Sequence, residues 1–316
     1  GWVKKPIPWT VGQIFALEAI TDDSFIYRKV SNSSYNYNYY IANKYDGSGE
    51  FLFFRSEMGE IKVAKNYAYY KSTSDVVGSD ITYTHLHRKA INKPPNEGSD
   101  QYMESTSNIM RFDVGRYSDR YVMVRIDREN EFGDYIENSN YSSLSAINDL
   151  SSSIFLSSDG SVVVFRAGEA FNYYIYTAPY DLSSYQRTSY RAYQIIGKTS
   201  GDWIYYLDYN ARNDVYKFNM HNPSQRIFVG TIPTTSNYVY PGDNVFYIHT
   251  YETDKQGNRI YSIYKVENQQ QELVYQYVQD GTARSFQVFG DTLYMLENNT
   301  VYYFEYSQSV KLLEAM

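Results

Sequence analysis

Few residues of this chain have the type and spacing to do chemistry. His85 and His87 stand two apart in Thr84-His85-Leu86-His87, which alternates as a strand does, so both imidazoles would face one side and could share a divalent metal. Such a site needs a third protein ligand, and neither His221 nor His249 lies near in sequence. The reading taken is two exposed strand histidines and no metal. Asp127, Glu129, Glu131 and Asp134 are dense enough for paired acid and base work. Their setting, Asp127-Arg128-Glu129-Asn130-Glu131-Phe132-Gly133-Asp134, reads instead as a hairpin loop whose charges face water, whereas glycoside hydrolysis holds its carboxyl pair about 5 to 10 Å apart across a cleft. No Gly-x-Ser-x-Gly elbow supports a serine hydrolase. With no Cys in 316 residues, disulfides, thiolate ligands and cysteine nucleophiles are excluded. No catalytic group and no cofactor is expected.

The elements that must position any site are easier to read. Seven times a turn ending in Asp, Asn or Gly runs into an apolar, Tyr-rich strand. The anchors are Asp23, Asn66, Asp119, Asp159, Asp202, Asp243 and Asp291, spaced 40 to 53 residues apart. A second strand in period-two alternation follows most anchors, as in Asn172-Tyr173-Tyr174-Ile175-Tyr176 and Asp214-Val215-Tyr216-Lys217-Phe218; only the third unit lacks a clear copy. Helix periodicity is nearly absent, and Gly, Asn, Asp and Ser clusters break the chain every eight to twelve residues or so. A period of about 45 residues is that of a propeller blade. The chain is therefore expected to be all-β, a seven-bladed β-propeller of four-stranded antiparallel blades. One domain should span residues 1–316, with 1–10 an N-terminal extension or linker. A parallel β-helix would repeat at a shorter period, and two packed sandwiches would show a linker near the middle. The ring could be finished by Ser309-Val310-Lys311-Leu312-Leu313 alone or by Gln13-Ile14-Phe15-Ala16-Leu17.

Composition narrows the partners. The 38 Tyr outnumber 16 Phe and 3 Trp, and mean hydropathy is -0.55. Tyr can bury its ring between sheets and leave its hydroxyl at a wet margin, so most of these are structural strand residues. Net charge is -7 with the 29 basic residues scattered in sequence, which argues against nucleic acid. No run of 18 apolar residues spans a membrane. Gly1-Trp2 in place of an initiator Met is read as the trace of a removed signal or anchor, and extracytoplasmic display of a monomer is the expectation.

The turn-plus-strand pattern, clearest in Gly201-Asp202-Trp203-Ile204-Tyr205-Tyr206 leading to Asp214-Val215-Tyr216-Lys217-Phe218, resembles the blade signature of a DUF5050-like family of seven-bladed bacterial propellers. It is similar, more distantly, to the YWTD and TolB-type propellers, although the YWTD tetrapeptide is missing. The resemblance implies a surface or envelope protein and carries over no activity. Ser157-Ser158-Asp159-Gly160-Ser161 is partly similar to the Asp box of sialidase-type propellers, and it reads as a β-turn. Propellers bind ligands where loops converge at the channel, so Lys198, Tyr209, Arg212, Tyr238 and Arg284 are the candidate ligand-binding residues, apt for a carboxylated sugar or a peptide. Two functions stay open. One is a non-catalytic interaction module binding a protein or glycan on its channel face. The other is an envelope glycan-active enzyme, hydrolase or lyase, with acidic residues at the channel mouth.

Overall fold

The computed structural model describes residues 1–9, 14–29, 37–56, 60–75, 78, 82–91, 101–102, 108–126, 134–139, 142–144, 153–169, 171–234 and 236–308, and every regular element among them is a β-strand. The chain opens with β1 (Trp2–Pro6). A four-stranded sheet follows, β2 (Ile14–Ile20), β3 (Ser24–Lys29), β4 (Tyr37–Asn43) and β5 (Phe51–Ser56). The next holds β6 (Ile61–Val63), β7 (Tyr67–Asp75), β8 (Thr82–Ala90) and β9 (Gln101–Tyr102), and the next β10 (Asn108–Val114), β11 (Tyr121–Ile126), β12 (Asp134–Asn138) and β13 (Ser143–Leu144). A seven-stranded sheet then runs through β14 (Ile154–Leu156), β15 (Val162–Glu169), β16 (Asn172–Pro179), β17 (Gln186–Lys198), β18 (Trp203–Asp208), β19 (Asp214–Asn219) and β20 (Asn222–Thr231). A sheet of β21 (Ser236–Pro241), β22 (Phe246–Thr253), β23 (Arg259–Glu267) and β24 (Gln270–Val278) precedes the last one. That one contains β25 (Arg284–Phe289), β26 (Thr292–Glu297) and β27 (Thr300–Tyr306), and β1 completes it by pairing with β27, Trp2 opposite Tyr306 through Pro6 opposite Tyr302.

The anchored apolar runs of the sequence become β3, β7, β11, β15, β18, β22 and β26, and each pairs antiparallel with its neighbours, as in Phe246 opposite Val266 through Thr253 opposite Arg259. The sheets pack through seven apolar clusters among the described residues. Each joins one set of strands to the next, such as Tyr69 and Leu86 against Phe112 and Met123, and Tyr205 and Val215 against Phe246 and Ile248. The circuit returns to its start where Leu296 and Val301 meet Leu17, Phe25 and Tyr27. Fully buried tyrosines supply much of this contact, among them Tyr27, Tyr69, Tyr205, Tyr206 and Tyr247.

Three expectations are corrected. Residues 2–6 are a paired strand, where an extension was expected, because the open edge of β27 offers a ladder for them. Ile14 to Leu17 do not finish the last sheet, since β2 pairs with β3 and opens the next one; Gln13 and residues 309–313 lie outside the described residues. The third unit does have its copy in β12, and the sequence pattern misses it because Glu137 is a buried charge there, paired with Arg125.

The anchor residues explain why the turn repeats. Asp291 accepts from Asn244 N–H at 2.7 Å, its side-chain amide at 2.8 Å and Val245 N–H at 3.3 Å, all in the preceding turn. Asp119 takes Asn66 N–H and side-chain amide at 2.8 and 2.7 Å, Asp202 takes Ser158 N–H and Oγ, and Asp243 takes Gly201 N–H and Ser200 Oγ. Asp119, Asp243 and Asp291 thus each latch one sheet to the one before it, and Asp202 latches two turns of the seven-stranded sheet together. Glycine at 201 leaves room for this carboxylate: a Cβ there would stand 2.7 Å from Asp243 Oδ1 and push it aside. Hydrogen bonds to a charged acceptor contribute about 1.5 to 3 kcal/mol, less where exposed. Asp291→Ala is therefore expected to lose about 1–2 kcal/mol in urea denaturation, while Asp291→Asn, which keeps one acceptor oxygen, loses less.

Candidate functional site

The ends of five strands converge on one cavity of about 460 Å³. Its wall comes from the ends of β2, β6, β10, β17 and β25 and the turns after them: Ile20 to Ser24, Lys62 to Lys65, Asp113 to Tyr117, Ser158, Lys198 to Ser200, and Val288 with Phe289. The size suits a small ligand. Ala19, Ile20, Val63, Val114, Val288 and Phe289 give apolar wall, and Lys62, Lys65, Arg116 and Lys198 set four cations against the carboxylates of Asp22, Asp23 and Asp113.

Asp113 organises the wall. It is buried at the end of β10, where Lys198 Nζ donates to its Oδ2 at 2.7 Å and Lys62 Nζ stands 3.4 Å from Oδ1; Leu156 N–H, at the end of β14, donates to Oδ2 at 2.7 Å. Burial pushes the carboxyl upward, and the two ammonium groups with these hydrogen bonds outweigh it, so its pKa falls below the ordinary carboxylate value. Lys198 also donates to Leu156 O at 2.5 Å and Lys62 to Phe112 O at 2.8 Å. At the rim Arg116 pairs with Asp22, Tyr117 Oη donates to Asp22 at 3.1 Å, and the Arg116 guanidinium lies 4.7 Å from the Phe289 ring centre. Lys65 makes no ion pair among the described residues, so one cation remains for a ligand.

The structure divides the five residues expected at the mouth. Lys198 ends β17 inside the cavity wall. Tyr209 and Arg212 follow β18, whose last residue, Asp208, pairs with Ala192 while Ile204 pairs with Lys198, so they lie at the far end of the strands from the cavity. Tyr238 and Arg284 likewise sit at the starts of β21 and β25, opposite the turn ends of those strands. The chain thus presents two faces, with Lys198 on one and the other four on the other.

On that second face Tyr238, 62% exposed, covers His249, whose ring packs among Tyr240, Tyr261, Tyr277 and Phe286 at centroid distances of 5.1 to 6.5 Å. His249 Nε2 shares a 2.9 Å hydrogen bond with Tyr277 Oη, and its buried Nδ1 has no partner among the described residues. Burial lowers its pKa to about 4. Arg284 stacks 4.2 Å from the Tyr277 ring centre and is spent on Glu297 and Asp280, at 2.7 and 3.3 Å. Nothing in the sequence marked His249, a single imidazole in a tyrosine-rich strand.

The remaining candidates are structural. His87 is buried, contrary to expectation, because it stacks on Tyr70 with ring centres 5.2 Å apart and shares a hydrogen bond with Ser72 Oγ. No group of three or more His, Asp or Glu that could hold a metal occurs among the described residues. Ser157–Ser161 is a turn, with Asp159 accepting from Ser157 Oγ at 2.7 Å and Ser161 N–H at 3.0 Å, and Gly160 supplying a φ of 74°. Asp127, Glu129 and Glu131 lie outside the described residues.

No protein-family model matches the chain, nor does any curated protein sequence. Solved structures do. An oligogalacturonate lyase from Vibrio parahaemolyticus superposes with a TM-score of 0.59 at 10% identity, covering 94% of this chain and 90% of its own. The tricorn protease gives 0.50 at 11% identity over 94% of this chain and 34% of its own, and TolB from Acinetobacter baumannii 0.44 at 11% over 97% and 80%. The first two, at TM-scores of 0.50 and above, are propeller proteins. The fold is a β-propeller. At such identity the likeness speaks for the propeller architecture alone. Within the propeller, no described helix is long and apolar enough to cross a membrane.

Proposed function

We propose that this propeller is a non-catalytic interaction module that takes a carboxylated sugar or the acidic end of a peptide in the cavity around Lys198. The observation that carries the reading is the state of Asp113. Among the described residues the one buried carboxylate of the wall is locked between Lys198 and Lys62 and held ionised, and no histidine lines the cavity. Hydrolysis of a glycoside needs two carboxyl groups with pKa values pushed apart, one of them kept protonated. Here the wall offers charge and shape without a proton donor of that kind. The architecture belongs to the same proposal: five four-stranded sheets, with the seven-stranded sheet read as two that share β17, make a seven-bladed ring closed by β1. Such a ring, of the type seen in DUF5050-like bacterial propellers, displayed outside the cytoplasm as a monomer, would serve as a rigid platform.

A glycan and peptide binding array on the purified protein, with products assayed by mass spectrometry in the same wells, tests the reading. Binding of carboxylated ligands without turnover, weakened about tenfold or more in Lys65→Met, is expected from the loss of a charge-assisted contact. Cleavage products would favour the lyase or hydrolase alternative and send mutagenesis to Asp22 and Asp23.

A further inference from the structure

The sequence scatters its arginines, but the fold gathers four of them on β15 to β18 and the turn after β18. Arg166 lies 4.4 Å from the ring centre of Tyr173 and donates to Ala192 O at 3.3 Å and to Tyr193 O. Arg187 lies 4.5 Å from Tyr174. Arg191 sits 4.0 Å from Tyr209 and 5.9 Å from Tyr174, and donates to Asn172 Oδ1. Arg212 lies 4.6 Å from Tyr193. None of the four has an ion pair among the described residues. Asp208, next to Tyr209, is already engaged by Arg226 at 3.5 Å and by the N–H groups of Asn210 and Ala211. In a protein of net charge -7, four cations on adjoining strands without carboxylate partners among the described residues are an imbalance that a bound anion would correct.

We propose that this face is a second binding surface, separate from the cavity, for a linear glycan that carries a carboxylate on each sugar. A guanidinium stacked on a tyrosine can present its N–H edge to a carboxylate; Arg187 and Arg212 make no hydrogen bond among the described residues and offer that edge whole, while Arg166 and Arg191 spend part of theirs on Ala192, Tyr193 and Asn172 and add charge beside them. Arg187 and Arg191 reach the same ring, Tyr174, at 4.5 and 5.9 Å, where an irregularity of β17 sets four of its residues against two of β16, so their guanidinium groups stand no farther apart than about 10 Å and can meet anions repeated along a chain. The exposed rings of Tyr193 and Phe171, 43% and 77% accessible, offer flat apolar surface for sugar rings beside those charges. That combination of repeated cations and open aromatic faces favours an acidic polysaccharide over an acidic peptide, which has no flat face to stack.

The test is calorimetry with alginate oligomers, with a neutral gluco-oligosaccharide of equal length and poly-L-glutamate alongside. Alginate should bind, the neutral oligomer should not, and affinity should fall with added salt. Arg191→Gln with Arg212→Gln is expected to weaken alginate at least tenfold at an unchanged melting temperature. The exposed-site variant Tyr193→Ala, which keeps all four arginine side chains, is expected to weaken it about threefold or more, and Lys255→Gln, in the turn between β22 and β23 and outside both surfaces, is expected to leave it unchanged. Absent alginate binding, equal binding by the arginine variant, an equal loss in Lys255→Gln, or tighter binding of poly-L-glutamate would each overturn the proposal.

Discussion

Asp113→Ala is expected to destabilise the protein by about 3–5 kcal/mol, the largest loss from any single change outside the apolar clusters. The magnitude follows from what stays behind: the Lys198 ammonium, its side chain 16% exposed, loses its 2.7 Å counter-charge, and Leu156 N–H loses its acceptor. Breaking a buried pair from one side costs about that much because the surviving charge is left uncompensated. The double variant Asp113→Ala with Lys198→Met should recover a good part of the loss, a coupling that a denaturation cycle resolves. The carboxyl's lowered pKa sets the pH sense. Its contribution is complete above the unfolded carboxylate range near pH 3.9 and is lost as pH falls through the lower folded value. A loss below about 1 kcal/mol, or no recovery in the double variant, would mean that the lysines reach solvent and that the cavity wall is not held by this ion pair.

Acid should act first elsewhere. His249 is buried and neutral, with its pKa lowered from 6.5 to about 4 by burial. Because the folded value lies below the unfolded one, the unfolded chain holds the extra proton between them. Stability is therefore full above about pH 6.5 and declines as pH falls towards 4, by up to about 3 kcal/mol at 1.36 kcal/mol per pKa step. The groups around the ring, Tyr238, Tyr240, Tyr261 and Tyr277 with Arg284 behind Tyr277, supply no carboxylate to hold an imidazolium. Urea midpoints measured from pH 7 to 4 should show this slope, and His249→Phe should flatten it. A slope that survives the substitution would place the proton uptake on other groups.

Much of the architecture was legible because it rests on local signals. The turn carboxylates and the alternation behind them mark the second and third strands directly, since those strands bury Tyr, Val and Ile on both packed faces. The first strands were missed. β6 and β14 are three residues long, and β6, β10 and β17 carry Lys62, Asp113 and Lys198 where they face the cavity, so their apolar period is broken at the positions that build the site. The latch role of the anchors was equally hidden, because Asp291 and Asn244 meet across sequence distance. The same holds for the arginine array, whose members at 166, 187, 191 and 212 become neighbours only when β17 runs from β16 to β18. Lys198 was found by position in a loop but for the wrong setting, as it is the last residue of a strand and partner to a buried carboxylate.

The central claim is that the cavity around Lys198 binds an anionic ligand and does not transform it. A crystal structure with the tightest carboxylated ligand from the array tests this most directly. The account predicts an intact ligand whose carboxylate meets Lys65 and Lys62, with the Asp113–Lys198 pair unbroken. A cleaved ligand there, or one seated with Lys198 drawn away from Asp113, would contradict it.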